Sequence, residues 1–297
     1  MSIFKKMSEK RHALSAMMVL LSSTIIGSLP VFILGLLKLF PNEHWKVLCT
    51  KQVDKIATLW CDINNIYVNK IHPARWEITG FKDFNPNDWY LVVANHQSWL
   101  DIVVLQRLFN RKIPVLKFFI KDQLKWVPFL GFSWWAMGCP FMKRYSQEYI
   151  AKYPHKKGQD LEATKKALKL FKKSPATIMS FVEGTRYTPE KKIQQQSPYQ
   201  HLLKPKAGGV SFVIDAMCHK INHFLDVTII YPDKQHSLWD FLCQRVNSIK
   251  IHIREIPIPN QFLESSLIDN EQTQIEFRQW LNDKWSEKDH LIGQLQR

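Results

Sequence analysis

Trp89-Tyr90-Leu91-Val92-Val93-Ala94-Asn95-His96-Gln97-Ser98-Trp99-Leu100-Asp101 is the stretch that decides the architecture. Its first six residues form an apolar run that reads as a buried strand. Ser98 and Asp101 stand in the S-x-x-D relation of a helix start, which predicts a helix from about Trp99 to Phe109. The stretch also carries chemistry. A histidine at a strand end can take a proton near neutral pH. A carboxylate five residues on can accept from one ring nitrogen and leave the other free as acceptor. The plainer reading makes Asp101 a first-turn carboxylate and His96 a loop histidine; these residues alone leave both open. They supply only two ligands, too few for a metal site without a nearby Cys or His. Ser98 lacks the G-x-S-x-G setting of a nucleophile.

Outward from this stretch, apolar runs alternate with helical patterns. Strands are expected at Ile113–Ile120, Met137–Met142, Ala176–Val182 and Phe224–Tyr231, with an alternating segment at Ile249–Ile258. Helices are expected over Asp160–Lys173, with Asp160 as N-cap, and over Glu271–Leu295. A further helix is expected within residues 41–70, and another starting near Val210. Pro189–Pro198, with three consecutive glutamines, reads as an exposed loop. The pattern predicts an α/β fold: a mixed central sheet flanked by helices.

Ala13 to Leu37 is uncharged. As one helix it would extend about 38 Å, against a hydrocarbon core of about 30 Å. It is read as a membrane anchor; a signal peptide is disfavoured by its length and the lack of a small-x-small cleavage site. Lys5, Lys6, Lys10 and Arg11 precede it, and Lys38 and Lys46 follow, so both ends are expected on the cytoplasmic side. Gly27-Ser28-Leu29-Pro30 suggests a hairpin that dips into one leaflet; a kinked single span is the alternative. The expected division is residues 1–45 as anchor and 46–297 as catalytic domain, without an internal linker or repeat.

Net charge is +15, from 41 Lys and Arg against 26 Asp and Glu, which implies an anionic partner. Nucleic acid finds no recognisable motif here, and neither a Walker A nor a G-x-G-x-x-G sequence is present. Cys49, Cys61, Cys139, Cys218 and Cys243 are scattered, without C-x-x-C, and read as reduced, mostly buried thiols facing the cytosol.

Three other segments combine charge with glycine. Phe181-Val182-Glu183-Gly184-Thr185-Arg186 closes a strand with a turn whose arginine fork suits a phosphate, or is an ordinary polar turn. Gly138-Cys139-Pro140-Phe141-Met142-Lys143-Arg144 would deliver Arg144 to a strand end, or to the plain surface. Leu202-Leu203-Lys204-Pro205-Lys206-Ala207-Gly208-Gly209 precedes a helix whose N-terminus can attract an anion, or is a solvated basic turn.

Asn95-His96 with Asp101, Gly138 to Arg144, Glu183-Gly184-Thr185-Arg186 and Val227-Thr228-Ile229-Ile230-Tyr231-Pro232 occur in that order. Together they resemble the four blocks of the glycerolipid acyltransferase family, the 1-acylglycerol-3-phosphate acyltransferases, over residues 80–235. Lys-Pro-Lys-Ala-Gly-Gly and the Trp280–Asp289 stretch resemble its membrane-bound subgroup, which includes a bacterial probable acyltransferase. The chain departs from the pattern at Cys139-Pro140 and Val182, which bear on the shape of the acceptor site.

The resemblance implies acyl transfer from acyl-CoA or acyl-carrier protein to a lysophospholipid hydroxyl, with lysophosphatidate as default acceptor and lysophosphatidylglycerol as an alternative. His96 would be the general base and Asp101 its orienting partner. Arg144, Glu183, Gly184, Thr185 and Arg186 match head-group positions. Lys121 resembles a family lysine that pairs with phosphate or stabilises an oxyanion. No metal or prosthetic group is implied. The expected location is a membrane, facing the cytoplasm, and the inner membrane for a bacterial chain. Rival readings are a thioesterase or lysophospholipase, or a non-catalytic membrane-tethered module that binds anionic ligands.

Overall fold

The computed structural model describes residues 3–143, 152–153, 164–165, 168–217, 220–233 and 237–296. Two long helices lead, α1 (Ile3–Leu37) and α2 (Glu43–Ile71), followed by strand β1 (Arg75–Thr79). The quoted stretch forms β2 (Tyr90–Ala94) and α3 (Leu100–Phe109). Then come β3 (Leu116–Phe118), β4 (Ile120–Lys121), a 3-10 turn over Asp122–Trp126, α4 (Leu130–Ala136) and β5 (Phe141–Met142). The remaining described elements are β6 (Thr177–Phe181), α5 (Pro189–Gln194), α6 (Ala207–Met217), β7 (His223–Ile230), α7 (Leu238–Leu242), β8 (Ser248–Glu255), α8 (Gln261–Glu264) and α9 (Glu271–Leu295).

The central sheet is mixed, in the order β1-β8-β7-β2-β6-β3. Every pair is parallel except β7 with β8. β4 and β5 form a separate parallel ribbon. Both faces of β2 are covered, which explains its unbroken apolar run. Leu91 and Val93 join a core with Val210 and Val213 of α6 and Phe277 and Trp285 of α9. Tyr90, Val92 and Ala94 join a second core with Val104, Leu105 and Leu108 of α3.

The hairpin expected within Ala13–Leu37 does not form; the helix pair is made instead by α1 and α2. α1 is continuous, with Pro30 inside it. Gly27 makes no bend: it lies within the helix, and a Cβ there would meet the Trp60 indole of α2 only at ordinary contact distance, 4.0 Å. The chain reverses at residues 38–42, where Asn42 caps α2 by accepting from the Trp45 amide at 3.0 Å. Polar contacts line the antiparallel seam, Ser15 Oγ with Tyr67 OH at 2.7 Å and Trp60 Nε1 to Thr24 Oγ1 at 3.2 Å. The outer face of α1 exposes Leu14, Met18, Leu21, Ile25, Leu29 and Ile33.

Both ends of α1 are tied to the body. Arg245 Nε reaches Glu9 Oε2 at 3.0 Å, and Lys38 Nζ donates to the Ala136 carbonyl at 2.6 Å. Beside Lys38, buried Lys117 of β3 donates to Asp54 of α2 at 2.6 Å and to the Met137 carbonyl at 2.9 Å.

Other expectations shift in detail. Pro189–Gln194 is a short helix, because Thr188 accepts from the Lys191 amide at 3.3 Å and proline suits the first helical position. The Met137–Met142 strand shrinks to two residues, since α4 continues to Ala136 and Gly138 (φ +81°) turns the chain. The Ile113–Ile120 run breaks into β3 and the first residue of β4. α6 begins at Ala207 rather than near Val210. Cys49, Cys61, Cys139 and Cys243 are buried free thiols. Cys218, Asp160 and Arg144 lie outside the described residues.

Candidate active site

The site follows from the register of two parallel strands. Ala94 of β2 pairs with Phe181 of β6, so His96 and Glu183 each emerge two residues beyond the same rung. β7 flanks β2 on its other side, with Val227 opposite Ala94. The Asn95 side chain continues the ladder where the backbone leaves it. Its Oδ1 accepts from the Ile229 amide and its Nδ2 donates to the Ile229 carbonyl, both at 2.9 Å. Gln97 Nε2 donates to the same carbonyl at 2.9 Å. The loop that presents His96 is therefore fixed to β7.

His96 Nδ1 donates to Asp101 Oδ2 at 2.8 Å. Asp101 is fully buried, and that oxygen also accepts the amides of Gln97 (2.6 Å) and Ser98 (2.9 Å). Ser98 Oγ in turn accepts the Leu100 amide at 2.9 Å. One carboxylate thus serves the start of α3 and also holds the His96 ring. Tyr231 OH donates to Asp101 Oδ1 at 2.7 Å. Burial and that carboxylate push the Tyr231 phenol well above its usual range, so it stays a donor. The His96 ring lies flat on Phe181, centroids 3.9 Å apart, with 15% of its side chain exposed. Nδ1 is committed to Asp101, and Nε2 is the nitrogen left for a substrate.

The second half of the site is the turn after β6. The Tyr187 amide donates to the His96 carbonyl at 2.7 Å, which stitches the turn to the histidine loop. Glu183 is fully buried against the His96 amide, at 3.4 Å. Burial pushes its carboxyl up to about 8; the His96 amide, the buried Lys288 ammonium and the Leu203 amide pull the other way. Gly184 has φ +71°, and a Cβ there would press on the Lys206 side chain at 3.1 Å. Arg186 is exposed and lies over the Trp99 ring at 5.4 Å. Lys191 of α5 donates to Thr185 Oγ1 at 2.8 Å and to the Arg186 carbonyl at 3.0 Å.

The structure therefore gathers His96, Asp101, Glu183, Gly184, Thr185 and Arg186 in one place. Lys121 is exposed on β4 opposite Met142, and no hydrogen bond among the described residues joins it to His96. It shares the sheet end, since Phe118 of β3 lies 6.1 Å from Phe181. Tyr231, Asn95 and Lys191 were missed as site residues. Tyr231 sat inside a recognised block but read as a strand end. Lys191 was hidden in a segment taken for a loop. Among the described residues no cluster of three or more His, Cys, Asp or Glu side chains is placed to hold a metal.

A sequence model of a family described as Acyltransferase matches residues 75–232. The mouse 1-acyl-sn-glycerol-3-phosphate acyltransferase epsilon is 24% identical over 95% of this chain and 78% of its own length. Mouse lysocardiolipin acyltransferase 1 is also 24% identical, over 92% of this chain and 70% of its own. The crystal structure of the 1-acyl-sn-glycerophosphate acyltransferase PlsC from Thermotoga maritima superposes with a TM-score of 0.58, 16% identity and coverage of 97% and 98%. That last likeness is one of fold.

Proposed function

The chain belongs to the acyltransferase family, and on that footing we propose that it moves a fatty acyl group from a soluble thioester to the free hydroxyl of a lysophospholipid. The observation that carries this reading is the His96–Asp101 pair at 2.8 Å, set beside the Glu183–Arg186 turn. The acceptor hydroxyl attacks the thioester carbonyl while His96 Nε2 takes its proton. Asp101 steadies the imidazolium. The C–O bond forms, the C–S bond breaks, and the proton passes to the departing thiolate. General-base assistance of this kind contributes about 10²–10⁴-fold. No acyl-enzyme, metal or prosthetic group enters these steps.

The acceptor best suited to the turn is 1-acylglycerol 3-phosphate, which would give phosphatidic acid. Arg186 and Lys191 offer cations to its phosphate, and neither is held in an ion pair among the described residues. Acyl-CoA and acyl-carrier protein both fit as donor. A second reading keeps the chemistry and changes the head group to another lysophospholipid, supported by the relative named for lysocardiolipin.

The same proposal places the protein on a membrane surface facing the cytoplasm. α1 carries an uncharged stretch, Ala13 to Leu37, long enough to cross a membrane, yet it lies along α2 and is tied to the body at both ends. That arrangement suits a helix pair lying in one leaflet, with the outer face of α1 in lipid. Purified protein incubated with labelled acyl-CoA, with and without lysophosphatidate, tests the reading. Acceptor-dependent diacyl product is expected. Free fatty acid alone would make it a hydrolase, and no product would leave a binding protein.

A further inference from the structure

Two sequence motifs remain unused by that mechanism, Lys-Pro-Lys-Ala-Gly-Gly and the Trp280–Asp289 stretch, and the fold joins them. The segment before Lys206 is held by α9, which lies beyond the residue where the family match ends. Asp289 accepts the Gln200 amide on Oδ2 and the His201 amide on Oδ1, both at 2.7 Å. The fully buried Trp285 donates from Nε1 to the Leu203 carbonyl at 3.1 Å. Lys288, also fully buried, donates to the Val227 carbonyl at 2.8 Å, which pins the helix to β7 beside the histidine loop.

At the other end of the segment the Lys206 amide donates to the Val182 carbonyl at 2.7 Å, one residue before Glu183. The Lys206 side chain then runs over Gly184, with its Cδ, Cε and Nζ all within 3.5 Å of where a Cβ would sit. The backbone of Lys206 is thus fixed at both ends. Its ammonium is exposed beside Gly184, in the turn that carries Arg186, and no ion pair engages it among the described residues.

We propose that Lys206 is a further acceptor-binding residue that contacts the phosphate, and that Asp289 and Trp285 of α9 are positioning residues that hold its loop over Gly184. The inference rests on the acyl-acceptor reading of the turn. A carboxylate that takes two adjacent amides, one per oxygen, is a rigid clip. Asparagine keeps the shape but turns an NH₂ group toward one of those amides. The clip therefore loosens without an added void.

The test uses the full chain in mixed micelles and compares acceptor KM, thioester KM and kcat. Lys206→Met is expected to raise the KM for 1-acylglycerol 3-phosphate about tenfold, with kcat and thioester KM within twofold. Lys206→Arg should keep the affinity largely intact. Asp289→Asn should raise the same KM about threefold, and the double variant should do no worse than Lys206→Met alone, because both changes act through one ammonium. Additive effects, or an Asp289→Asn defect confined to kcat, would overturn the positioning role. A second readout is independent of turnover: calorimetric titration of the solubilised chain with glycerol 3-phosphate. Binding weakened in Lys206→Met supports the proposal, and unchanged binding overturns it. If the wild-type chain forms no acceptor-dependent product yet loses glycerol 3-phosphate binding with Lys206, the acyl-transfer reading fails and the anion site stands.

Discussion

Asp101 accepts four hydrogen bonds in a dry setting, and each donor has a different task. Two backbone amides start α3, His96 Nδ1 sets the imidazole, and Tyr231 holds the second oxygen. Asp101→Asn should therefore cost turnover about 10³-fold while far-UV circular dichroism stays native, since the asparagine can no longer accept on both sides. His96→Ala should abolish transfer in a folded protein; near-normal turnover by that variant would remove His96 from the mechanism. Tyr231→Phe separates stability from chemistry. It leaves a buried carboxylate oxygen short of a donor, a loss of about 1–3 kcal/mol by thermal melting, with turnover reduced less than tenfold.

Glu183 gives a pH-dependent outcome. Its carboxyl is raised by burial from about 4.5 to about 8. Between those values the folded chain holds a proton that the unfolded chain has released, so this group's burial lowers stability as pH rises through that window. Glu183→Gln removes the titration. The stability of the variant relative to wild type, read by thermal melting, should rise from pH 4.5 to pH 8 and then level off, with a full span on the order of 5 kcal/mol at about 1.4 kcal/mol per pH unit. A gap that does not change with pH would place the proton elsewhere.

At the scale of elements, the Lys117–Asp54 pair links the central sheet to the anchor helices. Lys117 is almost wholly buried, while Asp54 keeps some contact with solvent. Lys117→Met should destabilise the chain by about 3 kcal/mol, the low end for breaking a buried pair, read as a lower melting midpoint in detergent. β2 was legible because both of its faces are covered, which leaves an unbroken apolar run, while β8 and α9 were legible from the spacing of their buried residues. β1 was missed because it is an edge strand, Arg75-Trp76-Glu77-Ile78-Thr79, with exposed ends and no apolar run to betray it. The anchor turn was misplaced because Gly27 and Pro30 were read as local punctuation, whereas α1 runs through both and the chain reverses at residues 38–42. His96, Asp101 and the Glu183–Arg186 turn were legible because strand ends fix them locally. The clip from α9 was not, since Asp289 and Gln200 lie 89 residues apart.

For the whole molecule, charge and shape point the same way. A surplus of +15 on a body that carries an apolar helix along one side suits an anionic bilayer, where each nearby Lys or Arg contributes about 1 kcal/mol. α1 is tied to the body at Glu9 and at Lys38, and the proposed one-leaflet placement would keep both of its ends on one side of the membrane. Ser8→Cys and Asn42→Cys should then react alike with a membrane-impermeant maleimide in sealed vesicles, with wild type as blank. Labelling of one position alone would mean that the helix crosses.

The shared rung beneath His96 and Glu183 has a consequence for how such a chain can change in length. A single residue inserted in Tyr90–His96 or in Thr177–Glu183 would turn one of the two side chains toward the opposite face of the sheet. Length can change without that cost in the loops of the two crossovers, away from β3 and from the Gln200–Lys206 segment. The spacing of the paired stretches is frozen, and the segments that join them are where size can drift.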